Sequence, residues 1–155
     1  MVPLIVQLVA WGTLWIIGTA GLAPTMAIPV EALRVAFAVM FVFTGVAHFV
    51  PRTRTDMLAM VPPTLPMPGL LVTATGALQL AGAAGLLLPT WSRWAAFALA
   101  ALLVAMFPAN IHASKAAGVI AGRPAMSVVP RLMLQLLWIA GLLWVAIGGV
   151  ESRAR

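Results

Sequence analysis

A few polar side chains stand inside otherwise apolar sequence: Gln7, Arg34, Thr44, His48, Gln79, Asn110, His112, Arg131 and Gln135. Polar groups in such surroundings are costly, so each needs a partner, a cavity or a function. Their chemistry is that of hydrogen bonding and charge: two imidazoles, amides, a hydroxyl and two guanidiniums. Cysteine is absent, which excludes disulfides, iron–sulfur clusters and thiolate metal sites on this chain.

Spacing sorts these residues into faces. Arg34, Phe37, Phe41, Thr44 and His48 follow three- and four-residue steps and share one helical face. Arg34 is expected to snorkel toward headgroup level with Glu31, three residues earlier, as its partner. In the run Phe107-Pro108-Ala109-Asn110-Ile111-His112, Pro108 removes a backbone donor and frees a carbonyl near Val104. Asn110 can satisfy such loose backbone groups, or donate to a ligand carbonyl. Gln79 and Gln135 are expected to form amide–amide hydrogen bonds between helices. His48, Asn110, His112, Arg131 and Gln135 all fall toward one end of their segments, which predicts a polar pocket there.

The elements that must hold these residues are membrane helices. The 155 residues are 63% hydrophobic and 8% charged, with a mean hydropathy of +1.10, against roughly 25% charged in an ordinary soluble domain. A water-soluble enzyme is excluded, because so small a domain cannot hide that much apolar surface. Crossing a hydrocarbon layer of about 30 Å takes roughly 20 apolar residues. Stretches near 2–21, 29–50, 69–88, 91–111 and 128–150 meet that length, giving a single all-α membrane bundle over 1–155. The first stretch has no basic n-region and is longer than a usual signal-peptide core, so it reads as a transmembrane helix.

The connection 51–68 is unusual. Pro62, Pro63, Pro66 and Pro68 forbid a continuous helix, while Thr55–Val61 suits a turn or two. Its apolar residues predict that it lies on the membrane surface or folds over the mouth of the bundle. This connection and Ser114–Ser127 share one side of the membrane, side one; Trp15, Trp91, Trp94 and Trp144 fall toward side two and read as an interfacial belt. The net charge of +6 does not point to nucleic acid, because the basic residues (Arg52, Arg54, Arg93, Lys115, Arg123, Arg153 and Arg155 outside the spans) are scattered singly at headgroup level. Gly76, Gly82 and Gly85 read as a small-residue packing stripe.

Several of these pieces resemble the DoxX and DoxX-like family of small bacterial membrane proteins: Gly45-Val46-Ala47-His48-Phe49, Met60-Val61-Pro62-Pro63 with Leu65-Pro66, the glycine-rich run Thr75 to Leu86 with Gln79, then Pro89 and Arg93, and Phe107-Pro108-Ala109-Asn110-Ile111. The resemblance runs from about Arg34 to Val150. It implies a four-helix membrane core to which the first helix is an addition, in a bacterial inner membrane. Where the family often carries a glutamate this chain has Gln79, which favours hydrogen bonding over proton handling. Family members include a subunit of a thiosulfate:quinone oxidoreductase, so the resemblance implies a quinone-associated subunit fed by a redox partner protein or larger membrane complex. His48, Asn110 and His112, with Gln79, Arg131 and Gln135, are then the headgroup candidates, and Phe41, Thr44, Phe107 and Pro108 the pocket walls. The alternative is a non-enzymatic scaffold packed against another membrane protein. A haem held by His48 and His112 is a weaker reading, since both imidazoles must point inward.

Overall fold

A computed structural model describes residues 2–115, 119–120, 123–124 and 126–151. Its helices are α1 (Val2–Thr19), α2 (Pro29–Ala47), α3 (Pro51–Met60), α4 (Pro68–Leu87), α5 (Ser92–Lys115) and α6 (Val128–Glu151), with a 3₁₀ turn over Pro24–Ala27. Two-residue strands β1 (Val119–Ile120) and β2 (Arg123–Pro124) pair antiparallel between α5 and α6. Five helices, all but α3, are long and apolar enough to cross a membrane. The chain is thus a helical, multi-pass membrane protein by length and composition, and Arg153 and Arg155 lie outside the described residues.

Prolines set several helix starts. Pro29, Pro51 and Pro68 each occupy the first turn of a helix, where a missing N–H costs nothing and φ is already helical. This is why α3 begins at Pro51 rather than near Thr55, and why α4 begins one residue before the expected Gly69. Pro62 in turn ends α3, since the residue before a proline is driven to extended backbone and Val61 has φ −69°, ψ 125°. Pro108 sits inside α5 without ending it, and the helix runs on to Lys115. The first helix closes with Gly21 at φ 82°: Leu22 N–H donates to Ile17 O and Gly21 N–H to Gly18 O, a left-handed glycine cap.

Apolar burial organises the bundle around α2. It packs against α1, α4 and α6, while α5 packs against α4 and α6. Phe37, Phe41 and Met40 are its most deeply buried large side chains, joined by Leu86, Leu99 and Leu142 from the neighbouring helices. The Phe37 and Phe41 rings stack with centroids 6.2 Å apart. Away from this core the surface is apolar: Ile16, Val104, Val129 and Ile147 are exposed, as are the four belt tryptophans. A monomer in water rarely shows so much contiguous apolar surface, and a bilayer covers it.

The glycines of α4 do not form one stripe. Gly76 faces His48 and Phe49 at the end of α2, whereas Gly82 and Gly85 face Leu99 and Ala95 of α5. Successive residues advance about 100° around a helix, so this spacing spreads the three over two contacts.

Met67, before α4, has φ 52° and ψ 57° and is the single non-glycine residue with positive φ among those described. Its side chain is largely exposed, so little packing is at stake. Met67→Asn is expected to stabilise the fold by about 1 kcal/mol, since asparagine tolerates the left-handed region better. Thermal unfolding in detergent checks this; an unchanged or lower midpoint would count against it.

Candidate functional site

A cavity of about 300 Å³ opens in the side-one half of the bundle. Phe41 and Thr44 of α2 with His48 just after it, Val72, Thr75 and Gln79 of α4, and Leu103, Met106, Pro108 and Asn110 of α5 form its walls. Trp138 of α6 and Pro3 of α1 also reach it. Met57 and Met60 of α3, with Val61 and Leu65 after it, cover the cavity. The proline-rich connection therefore folds over the mouth of the bundle, the second of its two expected placements.

Two sets of hydrogen bonds hold that cover. Arg54 donates from Nη1 to His48 O (3.2 Å) and from Nη2 to Gly69 O (3.1 Å) and Thr73 Oγ1 (2.9 Å), joining α3 to the end of α2 and the start of α4. Thr53 donates to Ala47 O across the same bend. On the other side, His112 Nδ1–H donates to Met60 O at 3.2 Å.

His48 is 4% exposed, and its Nδ1–H donates to Thr44 O at 2.8 Å. A carbonyl only accepts, so this bond fixes the tautomer and leaves the neutral ring a lone pair on Nε2. Gly76 makes room for the imidazole: a Cβ there would lie 2.6 Å from His48 Cβ. His48 follows the apolar span Pro29–Ala47. Burial, first, and the Arg54 charge hold its pKa below the ordinary 6.5, against the Thr44 bond, which raises it. As pH falls below 6.5 the unfolded chain takes a proton that the folded chain still refuses, so folding loses stability from there down to the folded pKa. Unfolding midpoints in detergent are expected to decline over that interval and to decline less in His48→Gln. Equal slopes in both proteins would show that His48 is not the group responsible.

Gln79 accepts the Thr44 hydroxyl at 2.7 Å and reaches Met106 Sδ from Nε2 at 3.6 Å. Its partners are thus a hydroxyl and a thioether rather than another amide. Behind the α5 wall, Arg131 Nη1 donates to Asn110 Oδ1 (3.0 Å), Asn110 Nδ2 faces Gln135 Oε1 (3.4 Å), and Gln135 Nε2 donates to Leu103 O (2.9 Å). The expectation that Asn110 serves loose backbone groups near Val104 is corrected here. Gln135, from α6, donates instead to the α5 backbone at Leu103 O, one residue before the Val104 carbonyl that Pro108 leaves without its donor.

The structure brings His48, Gln79, Asn110, Phe41, Thr44 and Pro108 to one cavity. Arg131 and Gln135 stand behind Asn110 rather than on the lining. His112 is turned to Met60, and Phe107 is not part of the cavity wall. His48 and His112 are therefore not paired across the cavity. Arg34, in contrast to the snorkelling expectation, turns inward at 9% exposed. It pairs with Glu31 at 2.7 Å and donates to Leu86 O, because the last turn of α4 offers a carbonyl acceptor inside the bundle.

Sequence reading placed Met57 and Met60 in the connection over the bundle mouth but missed Met40 and Met106, and the clamp at Arg54. Methionines in an apolar chain carry no positional signal. The arginine is recognisable only once α3 is known to lie against α4.

No curated protein and no solved structure matches this chain. A family model matches residues 37–146, more than two thirds of the sequence and every cavity-lining residue except Pro3. The chain belongs to that family, described as a domain of unknown function, DUF8561.

Proposed function

We propose that this protein is a quinone-associated subunit of a membrane redox system, related to the DoxX-like proteins it resembles, in a bacterial inner membrane. The observation that carries the reading is the cavity: about 300 Å³, largely apolar, with His48, Gln79 and Asn110 on its wall. Small-molecule sites are apolar hollows with a few placed polar groups, and this volume lies at the lower end of their range, suited to a monocyclic headgroup. Phe41 supplies a ring face, the amides supply donors to carbonyl oxygens, and His48 supplies an acceptor for a hydroxyl of the reduced ring. Bound quinone would provide the electron chemistry; these residues bind and orient it. Electrons would come from a partner protein, as the chain has no cysteine for a thiol or iron–sulfur centre.

The contact pattern supports a four-helix unit of α2, α4, α5 and α6 with α1 added against α2, and the family match begins inside α2. Mass spectrometry of an organic extract from the detergent-purified protein, against a control membrane protein, tests the reading. Stoichiometric quinone is expected. Asn110→Ala is expected to weaken quinone binding about tenfold, the loss of one hydrogen bond, and His48→Ala to weaken binding of the reduced form by a similar factor, since its hydroxyl donates to Nε2, with helical content unchanged in both. No enrichment over the control, together with unchanged affinity in both variants, would overturn the reading in favour of a scaffold.

A further inference from the structure

A second hollow lies on the seam between α4 and α5, in its side-two half. It is a groove of about 650 Å³, bordered by the exposed side chains of Leu78 and Trp91. Counting along each helix places groove and cavity on one track. On α4, Leu71 and Thr75 line the cavity, while Leu78, Gly82 and Gly85 line the groove. On α5, Ala109 and Ala105 line the cavity, while Leu102, Ala98 and Ala95 line the groove. Both sets advance in steps of three and four residues, so each lies along a single helical face.

The two faces also run level with each other. A Cβ built at Gly85 meets Ala95, and one at Gly82 meets Leu99, so the helices are antiparallel. Counting on from these contacts at equal rise sets Leu78 level with Leu102, Thr75 with Ala105 and Leu71 with Ala109. The groove therefore ends where the cavity begins, at Leu78 and Leu102. Leu71 and Ala105 are themselves exposed, so the cavity opens onto the same lipid-facing seam.

The two hollows differ in chemistry. His48, Gln79 and Asn110 line the cavity, whereas the groove lining holds no cationic, amide or hydroxyl side chain. Arg93, near its side-two end, does not line it; the guanidinium lies 5.8 Å from the Trp94 ring centroid and 5.9 Å from that of Phe97. An amphiphile with its chain in the groove thus finds amides and an imidazole for its polar end on the cavity side.

We propose that the groove seats the apolar tail of the molecule whose ring the cavity holds. Resting on the quinone reading above, this names the substrate class as a quinone with an isoprenoid tail, lying with the tail toward side two. The α4 wall rises about 15 Å between Leu78 and Leu88, which is the length of tail in contact. Ala81, Gly82, Ala84 and Gly85 let a chain approach the helix backbone closely, and the gain is dispersion contact over that made with lipid.

The test is photolysis of a benzoquinone whose isoprenoid tail ends in a diazirine, bound to the protein in phosphatidylcholine nanodiscs, with the labelled peptides read by mass spectrometry. Labelling is expected within 78–88 and 91–102, and excess tail-less benzoquinone, which competes for the cavity alone, is expected to displace it. Ala81→Phe and Ala98→Phe each fill the groove from an exposed position. Each is expected to weaken binding of the tailed quinone about threefold and to leave the tail-less ring at wild-type affinity. Val104→Phe, exposed and off both linings, should change neither. Labelling elsewhere, or groove labelling that the tail-less ring does not displace, would overturn the inference and leave the quinone reading in place; the second result would mark a groove for bilayer lipid. Unchanged binding of the tailed quinone in both groove variants would overturn it as well. Binding of neither quinone would overturn the quinone reading itself, and this inference with it.

Discussion

Arg34→Met is expected to cost about 3–5 kcal/mol of folding stability, the loss typical when one partner of a buried ion pair is removed. Arg34 Nε donates to Glu31 Oε2 at 2.8 Å, Nη2 lies 2.7 Å from the same oxygen, and Nη1 donates to Leu86 O. Both residues are less than a tenth exposed. The substitution strips a buried carboxylate of its guanidinium and leaves the end of α4 without a donor, while keeping a side chain of similar length. Adding Glu31→Gln removes the carboxylate charge that faced the guanidinium and is expected to restore part of the loss. Unfolding of the two single variants and the double variant in detergent forms the cycle. A loss below about 1 kcal/mol in Arg34→Met would show that the pair is solvated as at a surface.

The second large effect is expected at Gly18. A Cβ built there lies 2.2 Å from Ala27 N and 2.3 Å from Met26 C, so it meets backbone, which cannot rotate away as a side chain can. Gly18→Ala is expected to cost about 3 kcal/mol and to loosen α1 from the turn before α2. Trp11 Nε1–H donates to Pro29 O at 3.1 Å, and Trp138 Nε1–H to Gln7 Oε1 at 2.7 Å, so tryptophan emission reports the detachment. Gly12, on the same helix, has nothing within 4 Å of a built Cβ. Gly12→Ala should be neutral or stabilising, by up to about 1 kcal/mol from helix propensity. Equal behaviour of the two variants would show that the close approach at Gly18 does not hold α1.

The long elements were legible because apolar length is a local property. A run such as Trp91–Ile111 must be helical in a bilayer whatever it packs against, as every backbone group has to be satisfied within the segment. Its end was less legible, since the stretch expected to stop at Ile111 continues as α5 to Lys115. The shared face of Arg34, Phe41, Thr44 and His48 was equally readable from spacing.

Where polar side chains find their partners was not readable. Gln79 sits opposite Thr44 and Met106, Asn110 opposite Arg131 and Gln135, Gln7 opposite Trp138. Each pair depends on the rotation of one helix about its axis relative to another. In an apolar sequence without a strong polar face, that rotation is set by close packing at places such as Gly76 against His48 and Gly82 against Leu99. Composition and spacing were enough to read the class of protein, its apolar spans and the side of the bundle where polar groups gather. That His48, Gln79 and Asn110 line one cavity while His112 and Phe107 do not emerged from the packed bundle. The physical reason is that a residue's depth along a helix follows from counting, whereas its bearing toward a neighbour follows from packing shared between distant segments.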